Sequence, residues 1–441
     1  MEDSLKIRSL DSSNNCFIKF RQKQYSFEDV SNAVYDRVLA LIDFGLQKNN
    51  RVALFLPDPV EFIEAYLACY RIQSTSIVLN HKWKKSELKN ALGVVPADFI
   101  ICNYKNKNLF TEYKKPIIFI EELSKSFGTC CPDEIGDKLD NEGIQSILFT
   151  SGTQGVPKPV CLTYDNFYQS SMKWKKAVSL SKKDTYLLSL PLHHIAGLGI
   201  LMRALHIGFS INVDSPSSGL SHSTIFSAVP TLLIELMKKD ENIKNLKKVR
   251  CVILSGANVS RELLDECKKY NLNIFLSYGM TETCSSICGF WPLKKGDFVQ
   301  NLVGEPFDGV GIKIKNNQIV IKSNTVMKKY FNGKNTKGQF ETSDMGSFEN
   351  NHLKLNGRLD NMIISGGENI DQTEIIKAIS SIGEFDKIIP FKKEDAYWGE
   401  INGVYIYTNE KVEPDDIKVK LKKLISGYKI PKEIIIKKSN N

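Results

Sequence analysis

From Tyr25 onward, apolar residues recur three and four positions apart, at Val30, Val34, Val38 and Leu41, a spacing that sets them on one face of a helix. An apolar run from Arg51 to Leu56 follows, is stopped by Pro57 and reads as a buried strand; a second helical pattern then passes through Phe62 to Tyr70. The alternation continues. Strand-like runs at Ser76 to Leu79, Phe99 to Cys102, Pro116 to Ile120, Thr185 to Ser189, Ile225 to Val229 and Val249 to Leu254 are separated by helical patterns. Strands that alternate with helices predict an α/β fold of layered, largely parallel sheets.

After about Gly304 the texture changes to short strands with tight polar turns: Ile312 to Ile314, Asn316-Asn317, Ile319 to Ile321, then Asn332-Gly333 and Asn356-Gly357. A small antiparallel β unit over about 304–358 is expected. The segment 359–441 holds a short strand, a helix beginning near Thr373, a strand pair around Ile388 and Val404 to Tyr407, and a helix from Pro414. The expected organisation is therefore a large N-terminal domain over 1–358, with its β subdomain, and a small α+β C-terminal lid over 359–441.

The length of 441 residues calls for two or three packed units, and 42% apolar residues exclude a disordered chain. The formal charge of +9 is spread along the chain, with runs at Lys173 to Lys176, Lys247 to Arg250 and Lys418 to Lys423 that read as solvated helix faces. No basic stripe with interleaved aromatics points to nucleic acid; the balance suits polyanionic small ligands such as nucleotides. The ten cysteines, Cys130 and Cys131 among them, show no paired metal-ligand spacing and read as reduced core residues. Met1 to Ser9 is charged, and no run of about 18 apolar residues occurs, so neither a signal peptide nor membrane insertion is expected. A soluble protein of a bacterial cytoplasm, or of a plastid stroma, fits; self-association is left open.

The strongest chemical signal is Ile147-Leu148-Phe149-Thr150-Ser151-Gly152-Thr153-Gln154-Gly155-Val156-Pro157-Lys158. An apolar strand runs into a loop where backbone N–H groups and the hydroxyls of Thr150, Ser151 and Thr153 can converge on phosphate oxygens while Lys158 adds positive charge. Its spacing fails the P-loop pattern of nucleoside triphosphatases, because Gly155 is followed by Val-Pro-Lys and then Pro159.

This loop resembles the phosphate loop of the adenylate-forming superfamily, which includes acyl-CoA synthetases, adenylation domains and luciferases. Further motifs of that family follow in order: Ser277-Tyr278-Gly279-Met280-Thr281-Glu282, Glu341-Thr342-Ser343-Asp344, Gly357-Arg358-Leu359-Asp360 and Gly366-Gly367-Glu368-Asn369-Ile370. The resemblance implies that ATP, Mg²⁺ and coenzyme A are used, and that a carboxylic acid is activated as its acyl-AMP. It assigns Thr150, Ser151, Gly152, Thr153, Gly155, Lys158, Ser255, Gly256, Ala257, Tyr278, Gly279, Asp344 and Arg358 to the nucleotide. By the same resemblance Thr281 bonds a phosphate and Glu282 holds Mg²⁺, which is commonly bound by few carboxylates plus phosphate oxygens. Asp360 matches the hinge about which the lid turns, and Gly366 and Gly367 match the segment lining the pantetheine tunnel.

The segment from Leu190-Pro191-Leu192-His193-His194 to Arg203, with Ala228-Val229-Pro230-Thr231, is similar to the acid pocket of 2-succinylbenzoate:CoA ligases of menaquinone and phylloquinone synthesis. For such a dicarboxylate, Arg203 assisted by Ser227 would clamp the carboxylate that is not activated, and His194 would orient the one that is. The alternatives are a ligase for another aryl or medium-chain acid, and a non-catalytic relative that binds acyl-adenylate. The family also carries a lysine in a Gly-Lys context well beyond the proline matched by Pro431. Lys437 and Lys438 follow Pro431 too closely to match it, so the sequence leads us to expect a weakened first half-reaction and an intact thioester step.

Overall fold

The computed structural model describes residues 1–11, 14–123, 138–150, 158–293, 301–359 and 362–438. Two large sheets carry most of the chain. One has seven strands in the order Lys329–Tyr330, Lys158–Thr163, Ile144–Thr150, Thr75–Val78, Arg51–Phe55, Phe99–Cys102 and Ile117–Phe119. Its pairs from Ile144–Thr150 through to Ile117–Phe119 are parallel, and Lys158–Thr163 folds back antiparallel. The other has thirteen strands, parallel from Cys16–Phe20 through Cys251–Leu254 to Ile274–Met280 and antiparallel beyond.

Local chemistry sets the helix boundaries. Helix Phe27–Asp43 starts on a capping box in which the Ser26 hydroxyl accepts from Asp29 N at 3.0 Å and Ser26 N donates to the Asp29 carboxylate at 2.7 Å. Helix Pro59–Ile72 starts on Asp58, which accepts from Val60 N at 2.9 Å, with Pro59 at the first turn where its missing N–H is not needed. The apolar faces of these helices join one core that includes Val34, Val38, Tyr66 and Leu67 together with strand residues from both large sheets.

A five-stranded sheet, running from Met362–Ser365 to Glu433–Lys437, is covered by helices Gln372–Ser380 and Pro414–Leu424. It has its own core of Ile363, Ile379, Val404, Ile406 and Leu421, so the chain consists of a large N-terminal and a small C-terminal domain. No described helix is long and apolar enough to cross a membrane.

Leu302–Pro306 pairs antiparallel with Ser285–Phe290 on one side and His352–Arg358 on the other, so the strands after 304 extend the thirteen-stranded sheet. Two readings of the sequence need correction. Asn356-Gly357 is not a hairpin turn but lies within strand His352–Arg358; the turn is made earlier by Asn350 and Asn351, whose φ values of 50° and 66° suit side chains that tolerate the left-handed region. Lys173 is not a solvated lysine, because the end of its helix packs on the turn at Asp308 and its ammonium donates to Asp308 O at 2.7 Å.

Candidate active site

Strands Ile144–Thr150 and Lys158–Thr163 form an antiparallel pair whose last register places Thr150 opposite Lys158. The two ends of the phosphate loop are thus held side by side at the ends of two neighbouring strands. Ser151, Gly152, Thr153 and Gly155, like Asp360, lie outside the described residues.

The Tyr278 hydroxyl donates to Asp344 Oδ2 at 2.5 Å, and Arg358 Nη1 donates to Asp344 Oδ1 at 2.7 Å. Asp344 and Arg358 are register partners on adjacent strands, so the sheet itself brings them together. Each carboxylate oxygen keeps a lone pair for a further donor such as a ribose hydroxyl. Burial and the neighbouring Asp344 push the Tyr278 phenol well above its usual range, so it remains a donor. The turn Ser255-Gly256-Ala257 follows strand Cys251–Leu254.

Thr281 and Glu282 begin a single helical turn, Thr281–Thr283, directly after strand Ile274–Met280. The Thr283 hydroxyl fastens it, accepting from Met280 N at 3.0 Å and donating to Ser285 O at 2.7 Å. Cys284 and Ser285 take φ values of 51° and 93°, so the backbone is strained just past the motif. The Glu282 Oε1 accepts from Tyr330 at 2.9 Å. Burial raises the Glu282 pKa, while Lys158 and Arg358 act in the opposite direction. A shielded carboxylate beside Thr281, with Lys158 among the charges acting on it, fits a Mg²⁺ ion carried in on phosphate oxygens.

His194 caps helix Ile195–Ile207, and Gly197 in its first turn approaches Pro191 so closely that a Cβ would lie 2.3 Å from the Pro191 carbonyl oxygen. That contact folds the His193-His194 segment back over the site. His194 Nε2 lies 3.3 Å from Glu368 Oε2 of the small domain, an ion-pair distance without the alignment of a full hydrogen bond. Burial works to raise the Glu368 pKa, but His194, Lys82 and Lys429 together outweigh it and the carboxyl titrates below its usual range. His193 is buried behind, and burial and then its histidine neighbours hold its pKa down to about 2, so it stays neutral. One cavity is lined by Thr150, Thr281, His193, His194, Gly367 and Glu368, among others. It joins the phosphate strand, the Thr281 turn and the small domain.

Arg203 and Ser227 lie outside that lining. Arg203 is 3% exposed, donates from Nε to Gly199 O at 2.8 Å, and sits 4.8 Å over Trp174 and 6.0 Å from the Tyr186 ring. Among the described residues no carboxylate pairs with it. Tyr186 and Ser227 share a 2.6 Å hydrogen bond, which connects the two candidate acid-binding residues through one ring. Gly366 packs near Trp398 and Gly367 against Val229, four ångströms from where a side chain on Gly256 would begin. Sequence reading gave no part to Glu368, though it stands in a quoted motif, nor to Tyr330 and Tyr186, which carry no local signal.

A fold that brings the phosphate strand, the Thr281 turn and the small domain to one cavity defines an adenylating enzyme, and the chain belongs to the AMP-binding enzyme family, whose pattern matches residues 11–331. It is similar to 2-succinylbenzoate–CoA ligase of Bacillus subtilis (28% identity over 89% of this chain and 85% of the relative) and of Enterococcus faecalis (27% over 94% and 90%). Among solved structures, a double mutant of o-succinylbenzoate CoA synthetase from Bacillus subtilis with its product analogue OSB-NCoA superposes with a TM-score of 0.90, at 26% identity, covering 99% of this chain and 95% of that one. The same enzyme in complex with the acyl-adenylate intermediate OSB-AMP gives 0.76 at 26% identity, covering 99% and 94%.

Proposed function

We propose that this chain activates 2-succinylbenzoate with ATP as its acyl-adenylate and passes the acyl group to coenzyme A, with its site residues in the parts read from the sequence. The reading rests on one convergence: the phosphate strand and the Thr281 turn meet His194 and the small domain's Gly367 and Glu368 at a single cavity. One such cavity serves both half-reactions, since the first acts on an oxygen and the second on the carbon of the same carboxyl group. The ligases named above supply the acid.

In the first step an oxygen of the substrate carboxylate attacks the α-phosphorus, and the bond to pyrophosphate breaks. Thr281 and Lys158 face the phosphates, Asp344 takes the ribose hydroxyls, and Tyr278 and Ser255 to Ala257 border the purine. Glu282 together with the phosphates would hold a Mg²⁺ ion, which would supply positive charge to the leaving pyrophosphate. In the second step the coenzyme A thiolate attacks the acyl carbonyl and AMP leaves. Both steps depend on positioning and fixed dipoles rather than on a side-chain nucleophile.

The buried guanidinium of Arg203 gives the acid its selectivity. A cation shielded from water without a carboxylate partner is unfavourable, and the second carboxylate of a dicarboxylic substrate would supply the missing anion. The small domain, 359–441, turns about Asp360 between the steps, and Gly366 and Gly367 border the path of the pantetheine arm. The setting on this reading is a bacterial cytoplasm or a plastid stroma.

Two assays test the proposal: 2-succinylbenzoate-dependent exchange of labelled pyrophosphate into ATP, and thioester formation from presynthesised 2-succinylbenzoyl-AMP with coenzyme A. Activity with this acid and little with its monocarboxylic analogues is the expected result. Equal use of monocarboxylic aryl acids would remove Arg203 from its part, and inactivity in both assays would end the ligase reading.

A further inference from the structure

Glu87 lies in helix Lys85–Val94 of the large domain, 8% exposed, and takes no part in the chemistry above. Its carboxylate accepts the Ser426 hydroxyl at 3.1 and 2.8 Å and the Lys429 ammonium at 2.8 Å, both from the small domain. Among the described residues of its own domain it accepts from Lys84 N, at 2.8 Å. Lys429 also reaches Glu374 at 2.8 Å, so one buried ammonium is shared between a carboxylate of each domain. Burial would lower the Lys429 pKa, but Tyr428, Glu374 and Glu87 raise it well above its ordinary value, so it stays charged. Glu87 and Lys429 border the same cavity as His194 and Gly367.

We infer that Glu87 is a positioning residue: by receiving Lys429 and Ser426 it holds the small domain where Gly367 and Glu368 meet His194, and so favours acyl transfer to coenzyme A. The inference rests on the function proposed above. A contact biases a two-state equilibrium only by the free energy that it has in one state and lacks in the other. The Glu87–Lys429–Ser426 contacts have that property, because they bridge residues of two domains and vanish in any arrangement that moves the small domain away. The structure superposes with a TM-score of 0.90 on the relative with the product analogue and 0.76 on the same relative with the acyl-adenylate, at equal identity. A buried ion pair also suits a joint that must open, since the cost of drying two charges offsets much of their attraction and leaves little net stabilisation. An apolar contact of the same area would hold more firmly and release less readily.

The test uses the full chain. Glu87→Gln keeps an acceptor for Lys84 N and removes the charge; Ser426→Ala alters only the small domain; Lys429→Met removes the cation. Single-turnover acyl transfer from presynthesised 2-succinylbenzoyl-AMP should slow roughly tenfold in Glu87→Gln and Lys429→Met, and less in Ser426→Ala. Calorimetric affinity for the acyl-adenylate should stay unchanged. Amide hydrogen exchange should speed up at 84–94 and 426–430 together, with the rest of the large domain as before. The charge-exchanged pair, Glu87→Lys with Lys429→Glu, should recover part of the rate lost by either alone. Transfer at the parental rate in Glu87→Gln, or a parallel fall in acyl-adenylate affinity, would overturn the inference. If the parental chain transfers no acyl group, the ligase reading fails instead. Hydrogen exchange then still decides the joint, because unchanged protection at 426–430 in Glu87→Gln would refute it.

Discussion

The proposed nucleotide end of the site and the junction between the domains are built differently. Tyr278, Asp344 and Arg358 stand on strands of one sheet, where pairing fixes their spacing before any ligand arrives. His194 with Glu368, and Glu87 with Lys429, are joined only by the docking of one domain on the other, and the second pair is 342 residues apart in the chain. The first region offers preorganised groups that need not move, as transition-state stabilisation requires. The second consists of ionic contacts of small net worth, which suits a surface that has to separate and return. Strain follows the same division: the left-handed Cys284 and Ser285 lie beside the Thr281 turn, inside the rigid part.

Substitutions in the rigid region should have the largest effect. Thr281→Ala or Glu282→Ala should lower pyrophosphate exchange by about 10²–10³, the scale for removal of one preorganised group, while acyl transfer from presynthesised adenylate falls much less. Equal losses in both assays would erase the distinction between the two regions. Arg203→Met is next. Losing the partner of a buried carboxylate should reduce kcat/KM for the dicarboxylate by about 10²-fold, yet Tm should hold or rise because an unpaired buried cation is gone. Calorimetry and steady-state kinetics on the same preparation check both signs.

Gly367→Ala tests the junction itself. A Cβ there would lie 2.4 Å from Val229 Cγ1, and φ is +83°, so the small domain could not seat as it does. Acyl transfer should slow by about tenfold, with pyrophosphate exchange retained.

The smallest effect is expected away from both regions, at His206. Its Nδ1 meets the Ser171 hydroxyl at 2.8 Å, and burial holds its pKa down to about 3, against an ordinary value of 6.5. Between those values the unfolded chain binds a proton that the folded chain refuses, so stability falls as pH drops from 6.5 towards 3. His206→Gln cannot titrate and should flatten that acid limb in denaturation curves taken at several pH values.

Local patterns foretold most of the elements. The apolar run Phe99 to Cys102 is a strand with those ends, and Tyr278 to Glu282 spans a strand end and the turn that follows, where short-range chemistry decides the conformation. The turn at Asn350-Asn351 was missed in favour of Asn356-Gly357, because two turn-forming pairs compete there and sheet pairing chooses between them. Lys173 read as surface since only its tertiary partner, Asp308, makes burial tolerable. The partners of Glu87 had no local signal at all: an acidic residue in the first turn of a helix is ordinary capping chemistry, and its second use depends on a segment far along the chain.

The central claim is tested most directly by mixing the protein with presynthesised 2-succinylbenzoyl-AMP and coenzyme A and following thioester and AMP together. We expect the two products to appear in equal amounts, far faster than the adenylate decays in buffer. Decay of the adenylate at its buffer rate, with no thioester formed, would contradict the account.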